Sequence, residues 1–160
     1  MADIDKILKS EKLQNLKLHT PLYVGAKSPL KVVLQQMREK NRGYAVIVEE
    51  KPLSLKTVGI FTERDILRKV IPQNISGSTP IEELMTPDPK VLKMEDSVAD
   101  AIQLMSSGGY RHVPLVNNQG QVQGVVSARN LILYLAEHFP FEIYNLPPDP
   151  HQVMKAPEGA

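Results

Sequence analysis

Cysteine is absent from all 160 residues, which excludes a disulfide framework and thiolate metal sites and is compatible with a reducing compartment. A net charge of one sign is missing too. Nineteen basic side chains face 18 acidic ones, for a formal charge of +1, so no strong field draws the protein toward nucleic acid or an anionic membrane. Any anion must be held by a local site. No segment approaches the roughly 18 to 20 apolar residues of a membrane span, and the opening MADIDKILKSEKLQNL scatters charges where a signal peptide carries an apolar core. The expected partners include neither nucleic acid nor membrane, and the expected location is cytoplasmic.

Catalytic motifs are also lacking. His19, His112, His138 and His151 have no metal-ligand spacing, and there is no G-x-x-x-x-G-K-[ST] loop, no G-x-G-x-x-G fingerprint and no serine in a nucleophile elbow. The expectation is a protein that is not an enzyme and holds no metal. With 42% hydrophobic and 23% charged residues, the composition is that of a globular protein with one sizeable core or two small units sharing one.

What is present is a repeat. SPLKVVLQQM, 28–37, is echoed 68 residues later by DSVADAIQLM, 96–105, pairing Leu30 with Val98, Val33 with Ala101, Leu34 with Ile102 and Met37 with Met105. The i, i+3, i+4, i+7 spacing predicts amphipathic helices over 29–39 and 97–106. Ser28 and Asp96 take the cap positions, with Pro29 as a first helical residue. Upstream, Leu13 and Leu16 match Ile81 and Leu84, and Thr79, Pro80 and Glu82 resemble a cap, a first-turn proline and a capping glutamate.

Downstream, YAVIV (44–48) matches HVPLV (112–116) and VGIFT (58–62) matches QGVVS (123–127), all reading as buried strands. A shorter loop in the second copy reduces the offset to 65. Closing helices follow, ERDILRKV packing through Ile66, Leu67 and Val70, and ARNLILYL through Leu131, Ile132 and Leu135. The expected fold is α/β: a pseudo-twofold pair of small sheets with helices, in which repeats 14–71 and 80–137 pack on each other with helices 29–39 and 97–106 near the centre. IPQNISGSTP, 71–80, reads as the linker. The remainder, 138–160, is a tail in which Pro140 stops the helix and Phe141, Ile143, Tyr144 and Leu146 pack on the module or across a dimer.

Within GIFTERD, 59–65, Thr62 and Asp65 are placed to form a capping box. The same helix start offers N–H groups to a phosphate, to which Thr62 adds a hydroxyl.

GIFTERDILRKV and GVVSARNLILYL, each preceded by a helix ending in methionine and a strand of the YRHVPLV kind, resemble two CBS (cystathionine-β-synthase) domains forming a Bateman module over about residues 14–137. The tail with NLPPDP is similar to those of small stand-alone bacterial CBS-pair proteins. The resemblance implies a non-catalytic regulatory sensor that binds an adenine nucleotide, with AMP first and ADP or ATP next, dimerises, and signals to a partner protein. The alternatives are a ligandless dimerisation or scaffold module, and a CBS pair that binds S-adenosylmethionine.

By the family pattern, Asp65 takes the ribose diol and Thr62 the phosphate. Ser127 and Asn130 stand in their places in the second copy, where the amide lacks the charge of a carboxylate. The pattern extends to Arg64 and Arg129 in the first helical turns and to Arg111 and His112 as phosphate ligands, Arg111 crossing to the nucleotide on the first repeat. Gly43 and Tyr44 occupy their places in the first copy. The adenine slot involves Thr20, Pro21, Leu22 and Tyr23, or Asp88, Pro89, Lys90 and Val91, with Val113 and Pro114, or Ala45 and Val46, as walls. Asn130 and Gly43 both favour the first cleft as the stronger site.

Overall fold

The computed structural model describes residues 3–144; Leu146 and NLPPDP lie outside the described residues. In chain order the elements are α1 (Ile4–Ser10), β1 (Tyr23–Gly25), α2 (Leu30–Glu39), β2 (Tyr44–Val48), β3 (Thr57–Thr62), α3 (Glu63–Asp65), α4 (Ile71–Gln73), β4 (Thr86–Pro87), α5 (Val98–Gly108), β5 (His112–Val116), β6 (Val122–Ser127), α6 (Ala128–His138) and α7 (Pro140–Tyr144). The β-branched runs form two antiparallel hairpins, β2–β3 and β5–β6, with Val46 opposite Ile60 and Pro114 opposite Val125. β1 joins β2 in parallel and β4 joins β3 antiparallel, giving a four-stranded sheet of order β1-β2-β3-β4 beside the two-stranded β5-β6 sheet. The fold is a pseudo-twofold α/β pair.

The leading segments are exchanged. Leu13 and Leu16, at the head of the first repeat, are buried in the second core with Val98, Val113 and Val126. Conversely, Ile81 and Leu84 are buried in the first core with Val33, Val46 and Phe61. Backbone bonds fasten both crossings: the Leu13 N–H donates to the Asp96 carbonyl at 3.0 Å, and the Ile81 N–H to that of Ser28 at 2.9 Å. β4 belongs to the same exchange, since it extends a sheet whose other strands all come from the first repeat.

Helices α2 and α5 do not pair at the centre, contrary to expectation. Their apolar stripes cover their own strands, α2 on β2 and α5 on β5. The repeats meet instead through their sheets, with Val122 and Val125 of β6 reaching the first core. The Val122 N–H also donates to the Leu55 carbonyl at 2.9 Å, tying the two hairpins together.

The helix starts also differ from expectation. Pro29, in extended conformation, is the N-cap of α2 without a side-chain cap bond, and the first free N–H groups, those of Leu30 and Lys31, donate instead to the Thr79 and Gly77 carbonyls at 2.8 and 2.9 Å. α5 is capped by Ser97, whose N–H and hydroxyl donate to Asp100 Oδ2 at 2.9 and 2.6 Å, while Asp96 accepts from the Lys93 N–H. The Thr79 side chain caps nothing. Pro80 is the N-cap of a 3-10 turn, Ile81–Glu83, and Glu82 pairs with Lys27.

The first closing helix is broken where the second is continuous. A π-helical turn, Ile66–Val70, joins α3 to α4, and the Ile71 N–H reaches back five residues to the Ile66 carbonyl. Pro72 supplies the cause, since it has no N–H for the Arg68 carbonyl and its ring would clash with that carbonyl in a regular helix. The second repeat has Glu137 at the matching place, and α6 runs unbroken. Leu67 and Ile132, expected inside, are 66% and 64% exposed, whereas Ile66, Val70, Leu131 and Leu135 face the cores as expected, with Tyr134 beside them. In the tail, Phe139 is buried, whereas Phe141 is 77% exposed and Ile143 42% exposed, so among the described residues neither is buried in a core.

Candidate functional site

β3 ends at Thr62, and the chain turns directly into α3. The Thr62 N–H and hydroxyl donate to Asp65 Oδ2 at 2.9 and 3.2 Å, within the expected capping box. The other carboxylate oxygen, Oδ1, lies 2.9 Å from Lys69 Nζ, which also donates to the Leu84 carbonyl at 2.8 Å. Asp65 is one of two buried polar side chains, with Ser97, among the described residues.

This corner opens into a cavity of about 450 Å³. One wall is the closing helix, with Thr62, Arg64, Asp65, Arg68 and Lys69; a second is Thr86, Asp88, Pro89 and Lys90; the third is Gly108 with Tyr110, Arg111 and His112. Five cationic side chains thus line it against the three carboxylates Glu63, Asp65 and Asp88. A chain of near-zero net charge concentrates a surplus of two positive charges in one place. Arg64 Nη1 spans the repeats, donating to the Gly109 carbonyl at 2.9 Å. Among the described residues, Arg68, Lys90 and Arg111 have no carboxylate partner. Unpaired cations converging on a concave surface with helix-start N–H groups can hold a phosphate.

The CBS domain model matches residues 16–72 and again 81–137. The chain belongs to the CBS domain family. It is 35% identical over 97 residues to a 17.7 kDa protein of the bps2 3′ region in Acidianus ambivalens, covering 61% of this chain and 56% of that one. It is also 32% identical over 106 residues to the CBS domain-containing protein CBSCBSPB5 of Arabidopsis thaliana, covering 66% of this chain and 19% of that one. The chain thus spans little more than half of the first relative and about a fifth of the second. Among solved structures, a CBS domain protein of Pyrobaculum aerophilum complexed with AMP superposes with a TM-score of 0.70 at 25% identity, covering 79% of this chain and 98% of that one.

In this CBS pair the cavity gathers Thr62, Arg64, Asp65, Asp88, Pro89, Lys90, Arg111 and His112 of the residues singled out in the sequence. It adds Glu63, Arg68, Lys69 and Tyr110. Arg68 and Lys69 follow Asp65 at i+3 and i+4, a spacing that carried the signal for both. The exchange explains why 86–90 walls this cavity and Thr20, Pro21 and Leu22 do not. Leu22, Ala45 and Val113 are core residues, and Pro114 is buried in β5. Tyr44 stands behind His112, ring centroids 5.0 Å apart. Val91 lines a separate shallow hollow with Lys90 and Asp96.

Ser127, Arg129 and Asn130 lie at the start of α6 in the other repeat. There the Ser127 N–H and hydroxyl donate to Asn130 Oδ1 at 2.8 and 2.7 Å, and Asn130 Nδ2 donates to the Lys17 carbonyl at 3.3 Å. Its amide is engaged at both ends. The counterparts of Arg68, Lys69, Lys90 and Arg111 by repeat position are Leu133, Tyr134, Leu22 and Gly43, so this half lacks the converging cations.

Burial, and then the Arg111 charge, push the His112 imidazole below its ordinary range. The unfolded chain therefore takes up the proton first as pH falls. Stability is full above the unfolded value of about 6.5 and is lost as pH drops through the lowered folded one. Urea midpoints measured from pH 7.5 to 5 are expected to fall in the wild type more steeply than in His112→Asn; equal slopes in both would refute this.

Among the described residues, no group of three His, Asp or Glu side chains is placed to hold a metal ion, and no helix is long and apolar enough to cross a membrane.

Proposed function

We propose that this CBS pair is an adenine-nucleotide sensor, with AMP as its first ligand and ADP or ATP as further candidates, acting in the cytoplasm on a separate partner protein. One observation carries the reading: a buried carboxylate at a helix start shares its cavity with four cations, Arg64, Arg68, Lys90 and Arg111, that no carboxylate neutralises among the described residues. Asp65 accepts the ribose hydroxyls, Thr62 and the helix-start N–H groups meet the phosphate, and Arg111 crosses from the second repeat to hold it. A phosphate dianion balances the surplus of two charges. The AMP held by the Pyrobaculum relative supports this choice. A ligand touching both repeats has different contacts in different repeat arrangements, which is the physical requirement for a sensor.

Calorimetric titration with AMP, ADP, ATP and S-adenosylmethionine tests the reading. Saturable AMP binding at one stronger site is expected. No adenine-nucleotide binding at millimolar concentration would leave the caps as caps and favour the scaffold role; turnover of a nucleotide to product would make the protein an enzyme.

The reading includes a homodimer formed through the outer faces of the closing helices. Leu67, Ile71, Ile132 and Leu133 are each at least half exposed there. Sedimentation at tens of micromolar is expected to give twice the 17.9 kDa chain mass, with Leu67→Glu shifting the protein toward monomer. A wild-type monomer with and without nucleotide would sink the assembly.

A further inference from the structure

The nucleotide reading gives Lys69 no role, yet Lys69 makes the only side-chain ion pair of Asp65 among the described residues. A carboxylate offers about four lone-pair sites. Thr62 takes two on Oδ2, through its N–H and its hydroxyl, and Lys69 takes one on Oδ1. One acceptor site remains, while a ribose diol brings two hydroxyl donors.

We propose that Lys69 makes the cleft select ribonucleotides over ribonucleosides. The inference rests on the nucleotide reading of the same cleft. A ligand bearing a phosphate attracts the Thr62 hydroxyl and the Lys69 ammonium to its own oxygens, which vacates two acceptor sites beside the one already open on Asp65, enough for both hydroxyls of the diol. The ammonium also offsets repulsion between the Asp65 carboxylate and the phosphate. A neutral nucleoside draws neither group away and meets a carboxylate with a single open site. The pseudo-twofold counterpart of Lys69 is Tyr134, whose hydroxyl contacts Glu11 at 3.4 Å, so the device belongs to the first cleft alone. Lys69 also holds the Leu84 carbonyl, and moving its ammonium therefore releases a contact to the exchanged segment that continues into the second wall of the cleft.

The test compares adenosine, AMP and 2′,3′-dideoxyadenosine on wild type, Lys69→Met and Lys69→Arg by calorimetry or competition, with melting curves to verify folding. In Lys69→Met, adenosine is expected to bind up to about fivefold tighter, as loss of a partly exposed ion pair allows. AMP is expected to bind more weakly, so the preference narrows from both sides. Dideoxyadenosine, lacking the diol, gains nothing, and Lys69→Arg keeps the wild-type preference. A purely structural lysine would weaken all ligands together. Unchanged or weaker adenosine binding in folded Lys69→Met overturns the proposal while AMP binding by the wild type leaves the sensor reading standing; a wild type that binds no adenine nucleotide overturns both.

Discussion

Replacing Asp65 with alanine is expected to weaken AMP binding by about 10-fold to more than 100-fold, the roughly 1.5 to 3 kcal/mol of a charge-assisted hydrogen bond. Asn130→Ala is expected to leave the tightest binding event nearly unchanged, because the Asn130 amide is committed to Ser127 and the Lys17 carbonyl. Asp65 also accepts the Thr62 N–H, and losing a capping partner costs about 1 kcal/mol in stability. Melting and binding are therefore measured on the same samples. Arg111→Ala supplies the cleaner companion: Arg111 is exposed and has no carboxylate partner among the described residues, so its removal should lower affinity while the melting temperature stays within a degree or two. Greater loss from Asn130→Ala than from Asp65→Ala would reverse the ranking of the two clefts.

The largest expected stability effect follows from the exchanged segments. Leu13 and Ile81 are both fully buried, and truncating either to alanine should destabilise the protein by about 2 to 5 kcal/mol. Their local consequences are expected to be crossed. Leu13→Ala should perturb amide shifts and hydrogen exchange around Val98, Val113 and Val126, and Ile81→Ala should do so around Val33, Val46 and Phe61, following the cores they enter. If Leu13→Ala instead loosened the first core and spared the second, the exchange would be wrong.

Much of this architecture was legible in the sequence because buried strands and amphipathic stripes are local patterns. YAVIV and HVPLV coincide with β2 and β5, and the apolar positions of α2 and α5 repeat at matching places. What stayed hidden was long-range. Leu13 and Ile81 were recognisable as equivalents, but periodicity says only that a side chain is buried and not which core receives it. The same limit applied to Leu67 and Ile132, whose helices are apolar over more than the face a small sheet can cover. Pro72 falls in the segment that reads as a linker, although its missing N–H acts backward on the Arg68 carbonyl. In the cleft, the Thr62–Asp65 box was visible as a three-residue spacing, whereas Lys90 and Tyr110 came within reach of it only through the exchange and the packing of the repeats.

Because each core borrows its leading hydrophobic pair from the opposite repeat, a single-repeat chain of this design could complete its core only by lending that pair to a second copy. A gene encoding one repeat would thus specify a reciprocal, segment-swapped homodimer with two equal clefts. Duplication and fusion of such a gene would convert the swap into a contact within one chain and release the two clefts from identity. Asp65 and Asn130, or Arg111 and Gly43, are the kind of unequal pairs that become accessible only once the two halves are encoded separately.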